Sequence, residues 1–366
     1  MKKENTYIRI LSLLRENEFL TRQEITSKLK ISMPTALQYT NELLQMGLIV
    51  ESGEIESTGG RKAKSLSVNQ EIAYSAGIEI GLGYVIFVML GYSGEVLWEE
   101  KTDLVFEDTR EWYGLLQKHF ETFVQKYKIP QKKILCGGIS FPGIIDEEKN
   151  IIFRSHILNV EYVSLDRFQR VFPFPLVVVN DANCAAMTEN RNHKNDYFYI
   201  SLNESVGGGI VQNEHIYYGQ SLQAGEIGHV ILIPDGEKCY CGKNGCADAY
   251  LSSKVLGKNR AEITQFFEKL EMADASVVEK WDKYLEHLAI LITNLKMIQD
   301  TDIIVGGVVG NHMEGYIDQL SEKVQKYDIF ARNIDYVYTC DVHKNACAIG
   351  AGWIAMQRHY GDVINK

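Results

Sequence analysis

The chain has 366 residues, 45% of them apolar and 23% charged, with a formal net charge of −10. This length exceeds one small domain and predicts two or three. No apolar run reaches about 18 residues and no basic-then-apolar leader opens the sequence, so the expected setting is the cytoplasm, with no membrane partner. The charge is uneven: residues 1–69 hold ten Lys and Arg against eight Asp and Glu, a net of +2, and the remainder holds 28 against 40, a net of −12. An acidic surface disfavours nonspecific nucleic-acid binding, so any such contact is expected at the front end.

The front end has a pattern that suits this contact. Residues 5–16 place Ile8, Leu11 and Leu14 at helical spacing, widened by Ile10 and Leu13. Thr21 and Glu24 form a T-x-x-E capping box that starts a second helix through Ile25 and Leu29. Ser32 is the next N-cap, with Pro34 tolerated in the first turn. The third helix carries Thr35, Leu37, Thr40, Leu43 and Leu44 and stops at Gly47. Leu48-Ile49-Val50 reads as a strand, with Ile55 on its hairpin partner and the tip or flank at Ser57 to Lys62. Three short helices and a two-stranded wing make a winged helix-turn-helix over 1–69. Its partner would be double-stranded operator DNA. Thr35, Gln38, Tyr39 and Glu42 are polar side chains available to base edges, and Arg61, Lys62 and Lys64 could neutralise phosphates. A small helical protein-binding domain with a solvated basic turn is the alternative.

The pattern changes at Val68-Asn69-Gln70. From Ala76 the chain reads as apolar strand, glycine turn, strand, turn and strand, an opening that resembles the ribonuclease-H-like domain of sugar kinases and actin-like ATPases. A helix over about Thr109 to Tyr127 carries Leu115, Leu116, Phe120 and Val124. The next strand is expected to end in a loop containing Gly137, Gly138 and Gly143. Leu176 to Asn180 is a short apolar strand of the buried-parallel kind, delivering Asn180, Asp181 and Asn183 at its C-terminal end. A helix through Glu189, a strand at Tyr197 to Leu202 and a Gly207-Gly208-Gly209 hairpin follow. The last third repeats the habit: a helix around Val278 to Met297, strands at Ile303 to Val305 and Tyr336 to Thr339, and a small-residue helix at Ala346 to Met356.

Within Gly225 to Tyr250, three of the seven cysteines, Cys239, Cys241 and Cys246, follow His229. Three thiolates and an imidazole suit tetrahedral zinc and leave no position for a metal-bound water, so the zinc is expected to be structural. Three reduced thiols beside a core histidine are the alternative, and the lack of a secretory signal argues against a disulfide.

These motifs resemble the ROK family of repressors, open reading frames and sugar kinases, in particular its NagC/XylR-type sugar-responsive regulators. Family members carry G-E-x-G-H and then C-x-C-G-x-x-G-C-x-E. The matching residues are Gly225, Glu226, Gly228, His229, Cys239, Cys241, Gly242, Gly245 and Cys246. The NDAN tail, Asn180 to Asn183, is a second match, and STGGRKAKSL resembles the wing of the repressor branch. The resemblance implies an α/β fold, an N-terminal winged helix-turn-helix at 1–69 followed at 70–366 by a two-lobed actin-like, ribonuclease-H-like sugar kinase fold with structural zinc at 229–246. It implies that Asn180, Asp181, Glu226 and His229 contact sugar hydroxyls. Asp248 stands where the family usually has Glu and, one methylene shorter, is expected to bind a different sugar hydroxyl or reach one through water. Glu226 and Asp248 as solvent-facing charges beside a zinc knuckle are the bland alternative.

In family kinases, an Asp like Asp181 is the base. Phosphoryl transfer also needs loops that take phosphates and magnesium. Where the kinases have D-x-G-G-T, this chain reads Glu79-Ile80-Gly81-Leu82-Gly83-Tyr84. Where they have G-T-G-x-G-G-G, it reads Asn203-Glu204-Ser205-Val206-Gly207-Gly208-Gly209. Both departures argue against ATP binding and against an enzyme. The expected function is a sugar-responsive transcriptional regulator, most simply a repressor. The alternative is a ROK-type ATP-dependent sugar kinase with a DNA-binding appendage, and a protein-binding module is a third reading. A homodimer or dimer of dimers is expected to read an inverted repeat. Sugar-driven closure of the two lobes would act on the winged domains through Lys64 to Gln70.

Overall fold

The computed structural model describes residues 2–17, 19–55, 63–190, 193 and 195–360. The front module contains α1 (Lys2–Glu16), β1 (Leu20–Thr21), α2 (Arg22–Leu29), α3 (Met33–Gln45), β2 (Ile49–Ile55) and β3 (Ala63–Val68). Its strands form one sheet in the order β1-β3-β2. Tyr7, Ile10, Leu11 and Leu14 are the buried stripe of α1, one helical face at i, i+3, i+4 and i+7. Tyr7 joins this stripe, while Ile8 and Leu13 lie at its margin. The expected capping box is present: Thr21 N–H donates to Glu24 Oε2 at 2.7 Å and Glu24 N–H to Thr21 Oγ1 at 3.3 Å. The Thr21 backbone N–H then holds the Glu24 carboxyl below its ordinary range. Ser32 Oγ accepts from Thr35 N–H at 3.3 Å and caps α3.

Ile55 is a correction. It ends β2 itself, opposite Ala63 on β3, so the first strand of the wing is longer than expected. The segment 56–62, which includes Arg61 and Lys62, lies outside the described residues.

The chain continues through β4 (Tyr74–Gly81), β5 (Tyr84–Leu90), β6 (Val96–Asp103), α4 (Arg110–Lys126) and β7 (Ile134–Phe141). Then come β8 (Ile144–Asp146), β9 (Ile151–Ser155), β10 (Val160–Ser164), α5 (Asp166–Gln169), β11 (Leu176–Asn180) and α6 (Asp181–Glu189). After these follow β12 (Tyr197–Leu202), β13 (Val206–Gln212), β14 (His215–Ile216), α7 (Asp248–Leu251), α8 (Arg260–Glu271) and α9 (Ala275–Ile298). The last elements are β15 (Asp302–Gly306), α10 (Gly307–Gly310), α11 (Ile317–Tyr327), β16 (Val337–Thr339) and α12 (Ala346–His359).

Two five-stranded sheets result, in the orders β11-β7-β4-β5-β6 and β14-β13-β12-β15-β16, with a small β10-β9-β8 sheet besides. Each large sheet opens with an antiparallel meander and adds a strand parallel to the first of its three, β7 on β4 and β15 on β12. This repeat is the two-lobed actin-like plan expected from the resemblance. The chain divides into two compact units: Met1–Ser140 with Val163–Val178 and Ala351–Lys366, and Phe141–Tyr162 with Val179–Gly350. The boundary expected between residues 69 and 70 falls inside the first unit, between β3 and β4.

Within that unit the front module is tied down. The Arg15 guanidinium lies 4.2 Å from the Tyr360 ring centroid and 4.9 Å from that of Trp353. Its Nε and Nη1 are buried with no hydrogen-bond partner among the described residues, so the aromatic faces carry that contact. Asn69 Nδ2 donates to Gly47 O at 2.9 Å, and Gln70 O accepts from Tyr92 N–H at 3.2 Å.

Gly137 and Gly138 are a second correction. They lie inside β7, a wholly buried strand, and not in a loop. A Cβ on Gly138 would sit 2.0 Å from Ala351 O, so the glycine admits α12 against the sheet.

Candidate functional site

The segment from Gly225 to Tyr250 is folded by close backbone approach. A Cβ on Gly225 would lie 2.4 Å from Gly208 O, which brings the turn Ile227–His229 onto β13. Cys239 N–H donates to Lys243 O at 2.8 Å, and Gly242 N–H returns to Cys239 O at 3.0 Å. Gly245 has a φ of +79°, and a Cβ there would meet Ile233 O at 1.8 Å. Only glycine fits both demands, and the turn it allows carries Cys246 back to the other thiols.

The ligand atoms of His229, Cys239, Cys241 and Cys246 all lie within 4.8 Å of one another. His229 Nδ1 is 3.8 Å from Cys239 Sγ, and Cys241 Sγ is 3.8 Å from Cys246 Sγ. Tetrahedral zinc with Zn–S of about 2.3 Å requires ligand separations of about 3.8 Å. The donor set therefore fits such an ion. Burial pushes the Cys239 thiol up to about 12, a penalty on its thiolate that a bound cation would offset. Glu189, His193 and Asp341 form a second compact group. There Glu189 already accepts from the N–H groups of Asp341 at 2.9 Å and Val342 at 3.3 Å, which gives its buried carboxylate a structural task.

The five residues expected to meet sugar hydroxyls all belong to the second unit, and their roles differ. Asn180 is the N-cap of α6. Its Oδ1 accepts from Asn183 N–H at 3.1 Å, while Nδ2 donates to Gly143 O at 3.1 Å and to Asp181 Oδ1 at 3.0 Å. This side chain positions Asp181. Asp181 opens α6, and desolvation pushes its carboxyl above the ordinary range. Glu226 is exposed, yet the protein around it and the nearby Asp181 carboxylate push it up as well. Asp248 is buried, and its Oδ1 accepts from Val206 N–H at 2.7 Å. The shorter carboxylate is thus half committed to the start of β13. His229 turns Nδ1 toward Cys239 and Nε2 toward the Tyr240 hydroxyl, 3.3 Å away. Sequence reasoning passed over Tyr240 and His156, whose rings lie 5.7 Å apart. Tyr240 stands inside the C-x-C, where the spacing draws the eye to the thiols.

The two phosphate-loop positions have their own packing. Tyr84 OH donates to Glu79 Oε1 at 2.9 Å, and a Cβ on Gly81 would lie 2.3 Å from the Tyr84 ring. The tyrosine covers the turn. In the other loop, a Cβ on Gly207 would lie 2.9 Å from Ala182 Cβ and one on Gly209 2.6 Å from Ala186 Cβ. Those glycines let α6 lie close on β13.

On α3, Gln38 is exposed, and its amide donates to Glu42 Oε1 at 3.2 Å. Thr35 is half-buried and shares a 2.7 Å hydroxyl contact with Ser32. Tyr39 and Glu42 turn toward α1: the Tyr39 ring meets Tyr7 edge-on at 5.3 Å, and Tyr7 OH donates to Glu42. The open face of the helix is Leu37, Gln38, Asn41 and Gln45. Lys64 on β3 pairs with Glu51 at 2.6 Å, both exposed.

The ROK family profile matches residues 75–358. This chain belongs to the ROK family. Ahead of that region, residues 5–50 match the winged helix-turn-helix DNA-binding profile. This ROK chain is 29% identical over 260 residues to the xylose repressor of Caldicellulosiruptor bescii, which spans 69% of this chain and 65% of that one. The xylose repressor of Bacillus spizizenii is 24% identical across 100% of this chain and 97% of its own length. A solved structure described as a ROK family transcriptional regulator, homologous to the E. coli MLC protein, shares the fold with a TM-score of 0.76. It has 21% identity and covers 99% of this chain and 98% of the other. No helix among the described residues is long and apolar enough to cross a membrane.

Proposed function

We propose that this ROK protein is a sugar-responsive, DNA-binding transcriptional repressor of the NagC/XylR type, acting in the cytoplasm as a dimer. The observation that carries this reading is one chain joining a winged helix-turn-helix to a ROK domain whose carboxylates and zinc-type ligands cluster together. His229 Nδ1 and the three thiolates would hold a structural zinc, which would fix the imidazole tautomer and the turn that carries Glu226. Sugar hydroxyls donate to Asp181 and Glu226, with Asn180 as positioning residue and the free oxygen of Asp248 as a further acceptor. On the DNA side, Gln38 and Thr35 read base edges and the basic wing meets phosphates, Arg61 and Lys62 among them.

The same chain is not a working kinase. Tyr84 over the first turn, the exposed Glu204 and the packing task of Gly207 and Gly209 all support this. The kinase reading has Asp181 in its favour, as a base next to the sugar. A thermal-stabilisation panel of sugars, D-xylose among them, tests the effector. The same panel with ATP and magnesium, followed for sugar phosphate, tests the enzyme. Stabilisation by a sugar without turnover is the expected result, and turnover would overturn the assignment.

Two results bear on the pocket. Asp181→Asn removes an ionised acceptor and is expected to weaken sugar binding by about 1.5–3 kcal/mol with the fold intact. Unchanged affinity by calorimetry would take Asp181 out of the pocket. The pH dependence has a definite sign. Asp181 and Glu226 have raised pKa values in the free protein, and bound hydroxyls favour their ionised forms. Sugar affinity is therefore full where both are ionised. It falls on acidification, and the fall begins at higher pH than ordinary carboxylates would give. Titrating affinity against pH checks this, and a flat profile down to the ordinary carboxylate range contradicts it.

A further inference from the structure

The ring nitrogen that a sugar hydroxyl would use is already occupied. His229 Nδ1 faces Cys239 Sγ at 3.8 Å, so an ion in the four-ligand set takes Nδ1 and leaves the proton on Nε2. Nε2–H would then donate to the Tyr240 hydroxyl, which lies 3.3 Å away. The two rings meet at 5.3 Å between centroids and 70°, which fixes the approach. On its other side Tyr240 lies against His156, with ring centroids 5.7 Å apart. The side chain is 51% exposed, so it has room to swing outward.

We propose that Tyr240 is a specificity-determining residue: its hydroxyl stands in for one sugar hydroxyl at His229 Nε2, and the effector must either displace it or do without that contact. The inference rests on the sugar-site reading above.

The consequence follows from the cost of an orphaned donor. A site built to bond a hydroxyl rejects the analogue that lacks it, because its own donor is left unpaired. Here Tyr240 keeps Nε2–H satisfied when the ligand has no hydroxyl to offer. Discrimination between a sugar and its deoxy analogue at that position is therefore blunted. The full sugar also gains less than it would at a vacant nitrogen, since it exchanges one hydrogen bond for another.

Tyr240→Phe keeps the ring and removes the oxygen. Calorimetry with the sugar that stabilises the wild type, and with its monodeoxy series, is the test. The full sugar should bind about threefold to tenfold more tightly to the variant, the worth of one net hydrogen bond. For one member of the deoxy series, the ratio of affinities, parent over deoxy, should grow by a similar factor. Nitrogen-15 NMR of the histidines in the sugar-free variant should show a moved His229 Nε2 resonance, with zinc content unchanged. Weaker or unchanged binding of the full sugar, with zinc and fold intact, would overturn the proposal. Asp181→Asn serves as the control on the site itself. If it leaves sugar affinity untouched, the sugar-site reading fails; if it weakens binding while Tyr240→Phe does not strengthen it, only the role of Tyr240 fails.

Discussion

Zinc-free protein should bind no sugar. The argument begins with three thiols and an imidazole held within 4.8 Å. Cys239 and Cys246 are buried, so with no cation they stay protonated and lose the interaction that draws the turns together. Structural zinc contributes about 10–16 kcal/mol in small zinc-binding peptides, comparable to the whole stability of a domain. The segment it closes otherwise rests on two isolated β-bridges, Ile231 with Cys246 and Lys238 with Asn244, on turn hydrogen bonds, and on Ile227 and Ala247 at the core, none of which joins the three thiols to the imidazole. Glu226 and His229 enter that segment and Asp248 leaves it, so its loss scatters three of the five residues proposed to face the sugar. Cys246→Ser tests this without a chelator, because a buried hydroxyl is a poor zinc ligand. Metal analysis should fall from about one zinc per chain toward none, and calorimetry should detect no sugar binding. Metal-free protein with full sugar affinity would end the structural role of zinc.

The sequence made the site legible where chemistry and spacing coincide. The His229–Cys246 set could be read directly because few residue types bind zinc and three of them fall within eight positions. Helix starts at Thr21 and Ser32 were legible from capping chemistry, and both side chains accept the predicted N–H bonds; Thr109, read only as an approximate helix start, caps α4 in the same way. Glycines were read less well. Gly137 and Gly138 suggested a loop, yet they serve close packing in a buried strand, and a sequence alone does not say what approaches a missing Cβ. The same ambiguity touches Gly207 and Gly209, which suit phosphates in one context and the methyls of Ala182 and Ala186 in this one. Tyr39 and Glu42 were expected on the free face of α3. Helical spacing gives the face of a residue only to within a turn, and Tyr7 of α1 claims both. The β8–β10 sheet and α8 gave little local signal, whereas α11 has a clear amphipathic pattern, with Leu320 and Val324 on its buried side, that went unread. Short half-exposed strands depend on tertiary partners that no local pattern names.

Adding the effector should release the regulator from its operator. One short helix and a wing make few contacts, so two half-sites read by a dimer are expected, on an inverted repeat. The winged module is not loose on its tether: Arg15 stacks on Trp353, in the middle of α12, and on Tyr360, just past its end. α12 itself is shared between the units, Ala351 onward counting with the first and residues up to Gly350 with the second. The residues proposed for the sugar, Asp181, Glu226 and His229, lie in the second unit. Coupling is reciprocal. If sugar weakens DNA binding about tenfold, operator DNA weakens sugar binding by the same factor, about 1.4 kcal/mol. Arg15→Ala removes the cationic plug between the module and the helix end. Its expected effect is a coupling factor that falls toward one, while sugar affinity measured without DNA stays at the wild-type value. Footprinting with and without sugar measures the release, sedimentation gives the oligomer on DNA, and sugar titrations with and without operator give the reciprocal factor. A monomer on DNA, or a footprint indifferent to a sugar that demonstrably binds, would refute the switch. Wild-type coupling in Arg15→Ala would move the route elsewhere than α12.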